Sequence, residues 1–114
     1  MKIFISQPMR GYTQAEIIAE RKRIESIFSG NEIIDSIIAE EPPKDSKEAV
    51  WDLGKSIELL SQADMIVCPR NYHEYNGCCI EREVAARYGI MVCNLDMYPN
   101  AERTSCGICV AEGA

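Results

Sequence analysis

Apolar residues along the chain fall into four short runs, separated by longer stretches in which apolar positions recur every three or four residues. The runs are Lys2-Ile-Phe-Ile-Ser6, Glu32-Ile-Ile-Asp-Ser-Ile-Ile38, Met65-Ile-Val-Cys68 and Ile90-Met-Val-Cys93. Continuous short runs of this kind suit parallel strands buried on both faces. Between the first two, Thr13 followed by Glu16 makes a capping box, and Ile17, Ile24, Ile27 and Phe28 share one face of a helix predicted to run to Gly30. Between the second and third, Glu41-Pro-Pro-Lys44 ends the strand and Asp45 or Ser46 caps a second helix. In that helix Val50, Leu53, Ile57 and Leu60 recur at helical spacing, and Gly54 in the middle suggests close packing. Between the third and fourth, Asn76-Gly77 is a turn signal, Cys78 to Tyr88 is helix-forming, and Gly89 stands where a left-handed C-cap is expected. Alternation of β and α throughout predicts a three-layer α/β/α sandwich around a flavodoxin-like sheet of four or five parallel strands.

In such a sheet the loops leaving the carboxyl ends of the strands share one edge, and ligands bind there. The first of these loops is Gln7-Pro-Met-Arg-Gly-Tyr12. Its Arg10 is either a bidentate phosphate clamp or a solvated loop arginine. The loop before the third helix, Arg70 to Asn76, is polar, and its Tyr72 and Tyr75 can stack on a ring. His73, the one histidine, reads as a solvent-exposed loop residue. Glu81 lies close to the first turn of the third helix, where free backbone N–H groups would keep a carboxylate ionised and able to act as a nucleophile. The same position equally suits a glutamate that only complements the helix dipole. Spacing alone makes Asp64, at the start of the third strand, a loop or cap residue.

With 114 residues, 46% of them apolar, the chain has the size of one domain, residues 1–114, with one modest core. A formal net charge of −6 argues against a nucleic-acid polymer or an anionic membrane as partner and leaves small molecules. No run approaches transmembrane length, and the first ten residues carry no apolar leader. The six cysteines, at 68, 78, 79, 93, 106 and 109, include an adjacent pair and two embedded in strands. That pattern fits reduced thiols and a cytoplasmic location better than a disulfide framework. Cys106-Gly-Ile-Cys109 has CxxC spacing but no second pair, nor a histidine at finger spacing, so no metal site is expected. The segment from Thr104 to Ala114 is short, Gly-interrupted and assigned to no element.

Three segments together, Lys2-Ile-Phe-Ile-Ser-Gln-Pro-Met-Arg-Gly11, Ala63-Asp-Met-Ile-Val67 and Gly77-Cys-Cys-Ile-Glu81 with Ala85 and Gly89, resemble the nucleoside 2-deoxyribosyltransferase-like superfamily. The chain looks most like its small phage and bacterial members classed as a domain of unknown function, over roughly residues 1 to 95. In that family the catalytic glutamate has a glycine four residues before it, an alanine four after and a glycine eight after. Gly77, Glu81, Ala85 and Gly89 match, so the resemblance implies that Glu81, not Glu83, is the nucleophile. Asp64 falls where the family carries an aspartate that holds or protonates the substrate. Pro8-Met9-Arg10-Gly11 is similar to the phosphate-holding loop of the family's 2'-deoxynucleoside 5'-monophosphate N-hydrolases, with Arg10 and Gly11 matching and the family's serine missing. Gln7, Met9, Arg10, Gly11, Tyr75, Asn76 and Gly77 are then the implied substrate-binding residues. Tyr75 replaces an aspartate that the base-exchanging transferases carry six residues before the nucleophile, and Glu83 replaces a glycine two after it.

The implied chemistry is a double displacement at the anomeric carbon, with an oxocarbenium-like transition state. Glu81 attacks C1', Asp64 or Glu74 protonates the leaving base, and water or a second base resolves the glycosyl-enzyme. No metal or redox cofactor is required, and the resemblance implies a homo-oligomer. Because of the departures at positions 75 and 83, hydrolysis, base exchange and a nucleotide-binding or sensing module without turnover all stay open. An FMN-binding protein ranks last, since Gln7 to Gly11 offers no serine or threonine.

Overall fold

The computed structural model of the protein describes residues 1–99. Its elements run β1 (Lys2–Ile5), α1 (Gln14–Ile27), β2 (Glu32–Ile33), α2 (Glu48–Leu60), β3 (Met65–Pro69), a 3-10 turn (Tyr72–Glu74), α3 (Asn76–Arg87) and β4 (Met91–Leu95). The four strands form one parallel sheet in the order β2-β1-β3-β4. The chain therefore reverses direction across the sheet between β1 and β3, and the crevice outside their carboxyl ends is where this topology places ligands. This is the three-layer α/β architecture, with four strands among the described residues. The Cys106–Cys109 pair and the segment from Thr104 lie outside them.

Side-chain alternation along the strands sorts the core into two halves. Ile3, Ile5, Met65 and Val67 point to one face and pack with Ile24 of α1 and with Met97 and Tyr98. Phe4, Ile66 and Cys68 point to the other and pack with Leu60 of α2 and Ala85 of α3. Each fully buried side chain of this size stabilises the fold by roughly 1.5–3 kcal/mol.

Local signals act where they were expected. Thr13 Oγ1 accepts from the Glu16 amide at 3.1 Å while Glu16 Oε1 accepts from the Thr13 amide at 2.7 Å, so the capping box starts α1. Gly89, at φ +82°, ends α3 in the left-handed conformation that glycine adopts without steric cost.

Three expectations are corrected. The second apolar run is a strand only over Glu32–Ile33. After Ile34 the chain swings off the sheet edge, because Arg21 of α1 binds the Ile34 carbonyl at 2.9 Å and the Ser36 hydroxyl at 3.0 Å. Ile37 is left 80% exposed. Helix α2 begins at Glu48 after Lys47, with no side-chain cap from Asp45 or Ser46, and its apolar stripe buries only toward its end: Val50 is 66% exposed and Leu60 fully buried. Gly54 faces open space, so it marks no close approach. Among the described residues no helix is long and apolar enough to cross a membrane.

Candidate active site

Early departure of β2 leaves the outer side of β1 uncovered, and a cleft of about 980 Å³ occupies the gap. Its floor is the end of β1 (Phe4, Ile5, Gln7), one wall is α1, the other is α2, and residues 35–42 close the far side. Glu81 lines it from α3.

Glu81 reaches this place through helical periodicity. Cys78, Glu81 and Ala85 are the buried positions of α3, spaced three and four apart on the stripe that faces the sheet. Glu81 is 8% exposed, a carboxylate in an otherwise small and apolar row. Across from it, Ser6 follows Ile5 at the carboxyl end of β1 on the same sheet face as Phe4. The Ser6 hydroxyl donates to Glu81 Oε1 at 2.6 Å, and Ser56 of α2 lines the same cleft, its hydroxyl favouring the charged form of the carboxylate. Among the described residues no lysine or arginine forms a salt bridge with it. Burial raises the Glu81 pKa above the usual glutamate value, and the two hydroxyls oppose that shift.

The expected cause of a low pKa is therefore corrected. Glu81 sits in the second turn of α3, with no acidic residue in the first, beyond the reach of the free N–H groups that would stabilise its charge. The serines perform that task instead. Cys78 donates to the Ser6 carbonyl at 3.7 Å, and burial pushes its thiol up to about 11. At neutral pH it is a packed thiol rather than a nucleophile.

The other candidate residues divide into three groups. Gln7 and Met9 line the cleft with Glu81. Gln7 Nε2 donates to the Ile17 carbonyl at 2.8 Å and the Tyr98 hydroxyl at 2.9 Å, leaving its carbonyl oxygen without a partner among the described residues. Arg10, Gly11, Tyr75, Asn76 and Gly77 lie at the carboxyl edge but do not line the cleft. There Arg10 donates to the Glu74 carbonyl at 2.8 Å and lies 5.5 Å from the Tyr75 ring centroid, so its guanidinium fastens the first loop to the third.

Asp64 is at the opposite edge. Its carboxylate accepts from the Lys2 amide at 2.7 Å, and its own amide donates to the Lys2 carbonyl at 2.8 Å. The five residues of β3 separate it from the carboxyl edge, roughly 16 Å at the usual rise per residue. Within one chain it tethers two strand starts and does not join Glu81.

Ser6 and Ser56 were missed in the sequence. Ser6 carries a readable signal, as the polar residue that ends an apolar strand run at the ligand edge. Ser56 carries none, because a serine inside an amphipathic helix is ordinary. Asn71, 4% exposed at the end of β3, also has its Nδ2 unpartnered among the described residues. No group of three or more histidine, cysteine or carboxylate ligands comes together among those residues. Comparison with protein-family models, curated proteins and solved structures finds no match to this chain.

Proposed function

We propose that the protein cleaves or transfers the N-glycosidic bond of a 2'-deoxynucleoside or its 5'-monophosphate, with Glu81 as the nucleophile, as the resemblance to the nucleoside 2-deoxyribosyltransferase-like superfamily implies. The observation that carries this reading is a buried carboxylate without a salt-bridge partner among the described residues, held by the Ser6 hydroxyl and lining a cleft at the carboxyl edge. Burying an ionisable group without a cation is costly, and such sites cluster where chemistry is done.

Glu81 is carried on a helix packed against the sheet, which keeps the attacking oxygen in place as a mobile loop would not. The ionised carboxylate attacks C1' and forms a glycosyl ester. The C1'–N bond breaks, the base leaves with the bonding pair, and it takes up a proton from the open, wet cleft. Attack at C1' by water gives the free sugar and returns the carboxylate, and attack by a second base gives a new nucleoside. The serines supply part of the stabilisation of the ionised form that burial removes.

Product chromatography with wild type and Glu81→Gln, on deoxynucleosides and their 5'-monophosphates with and without a free acceptor base, tests the proposal. Release or exchange of base by the wild type, reduced at least about a thousandfold in the variant, is the expected result. A folded wild type that binds these ligands and turns over none of them contradicts it in favour of a binding or sensing module.

A further inference from the structure

Charge around the cleft narrows the substrate. Among the described residues, seven carboxylates and two cations line it. One cation, Arg21, is already committed to Glu25 at 3.1 Å and to two oxygens of the segment after β2. The other, Lys22, is exposed on α1.

Helix α2 places negative charge on the way to Glu81. Glu48, Asp52 and Ser56 are spaced four apart, and all three line the cleft. Ser56 lines the cleft together with Glu81, and Asp52 lies roughly 6 Å and Glu48 roughly 12 Å from it along the helix axis. Neither carboxylate has a salt-bridge partner among the described residues. Lys55, on the same helix, pairs with Glu40 at 3.0 Å and Glu58 at 3.8 Å instead. The amino end of α2 would otherwise attract an anion, but Glu48 occupies its first turn and neutralises it. The arginine that the resemblance nominates for a phosphate, Arg10, is held outside the cleft by the Glu74 carbonyl and the Tyr75 ring.

We infer that this cleft takes a neutral or cationic glycoside and rejects phosphorylated ones, with Glu48 and Asp52 as the specificity-determining residues. The inference rests on the proposed Glu81 chemistry and names the substrate class for it. A phosphate dianion entering past two unneutralised carboxylates is disfavoured by about ten- to a hundredfold in affinity. A base already carrying positive charge, such as an N7-alkylated purine, gains from the same field and leaves the sugar as a neutral molecule.

The test combines calorimetric binding to Glu81→Gln with kcat/KM of the wild type. The probes are a purine deoxynucleoside, its 5'-monophosphate and its N7-methylated cationic form. The expected order is cationic, then neutral, then monophosphate, with at least about tenfold between the last two. The double variant Glu48→Gln/Asp52→Asn narrows that gap several-fold, and added salt narrows it in the unsubstituted cleft. Equal or tighter binding of the monophosphate, or a gap unchanged in the double variant, overturns the inference. Glu81-dependent turnover that favours the monophosphate overturns it while leaving the glycosidic chemistry standing. The expected order of binding without any turnover does the reverse. Binding of none of the probes overturns both.

Discussion

Glutamates are buried on both helical faces of the sheet, and they are held by opposite means. On the α1 face, Glu20 is 6% exposed and receives Arg23 Nε at 2.9 Å, Arg23 Nη2 at 2.6 Å and the Tyr98 amide at 2.6 Å. This knot closes the chain after β4 over α1, where Tyr98 also stacks on Tyr12 with ring centroids 3.7 Å apart. On the α3 face, Glu81 is buried almost equally but has hydroxyls in place of a guanidinium, and its pKa is raised. Burial of a carboxylate is therefore no sign of function by itself. What sets the proposed nucleophile apart from the structural glutamate is the lack of a salt-bridge partner among the described residues, together with an open cleft.

The largest way to break this comparison is to neutralise both groups in turn. Glu81→Gln is expected to reduce the proposed activity by at least about a thousandfold. It also changes the pH dependence of stability in a direction fixed by linkage. A carboxyl whose pKa is raised by folding holds its proton in the native state after the unfolded chain has released it, so native stability falls as pH climbs from the usual glutamate range through the raised value. The glutamine variant lacks that fall, and near neutral pH it melts higher than the wild type, by about 4–8 °C for each kcal/mol relieved. Thermal melts from pH 4 to 8 check this. Glu20→Gln acts in the opposite sense. It weakens three hydrogen bonds, two of them from a partly solvated arginine, and is expected to cost about 1–3 kcal/mol, with kcat of the folded fraction unchanged.

A smaller effect sharpens the site itself. Ser6→Ala leaves the fold intact and removes a hydrogen bond that favours the charged form of Glu81. Because attack needs the carboxylate, the acid limb of the pH–rate profile lies above the usual glutamate range in the wild type and moves further up in this variant, with activity at pH 7 reduced about two- to tenfold. An unmoved limb would mean that Ser6 only packs. The smallest effect belongs to Glu83, two residues from Glu81 on the same helix, which is exposed and paired with Arg87. Glu83→Gln is expected to change neither melting temperature nor rate measurably, since such surface pairs contribute little.

The same contrast explains how much was legible in the chain. The short apolar runs and the capping box at Thr13 are local, and they predict the layers and the start of α1, which ends at Ile27 rather than Gly30. The third helix and its glycine C-cap are equally local. The resemblance nominated Glu81 through its match at Gly77, Ala85 and Gly89, but the environment of Glu81 was not legible. Its hydroxyl partner Ser6 and the neighbouring Ser56 come from β1 and α2, separated from it by 75 and 25 positions, and only the assembled fold brings them together. The apolar run Ile33 to Ile38 looks like a strand because nothing in it records that Arg21 will take the Ile34 carbonyl. Asp64 shows the converse: spacing read it as a loop or cap residue at a strand start, which is where it lies, and its catalytic role came from the resemblance alone, while the parallel register puts every strand start at the edge away from Glu81.

The most direct measurement is rapid acid quench of the wild type during turnover of a deoxynucleoside, followed by intact mass and peptide mapping. A glycosyl adduct on the peptide carrying Glu81, which disappears on chase with water or a free base and is absent from Glu81→Gln, is the predicted result. Products formed without an adduct, or an adduct on another residue, would contradict the assignment of Glu81 as nucleophile.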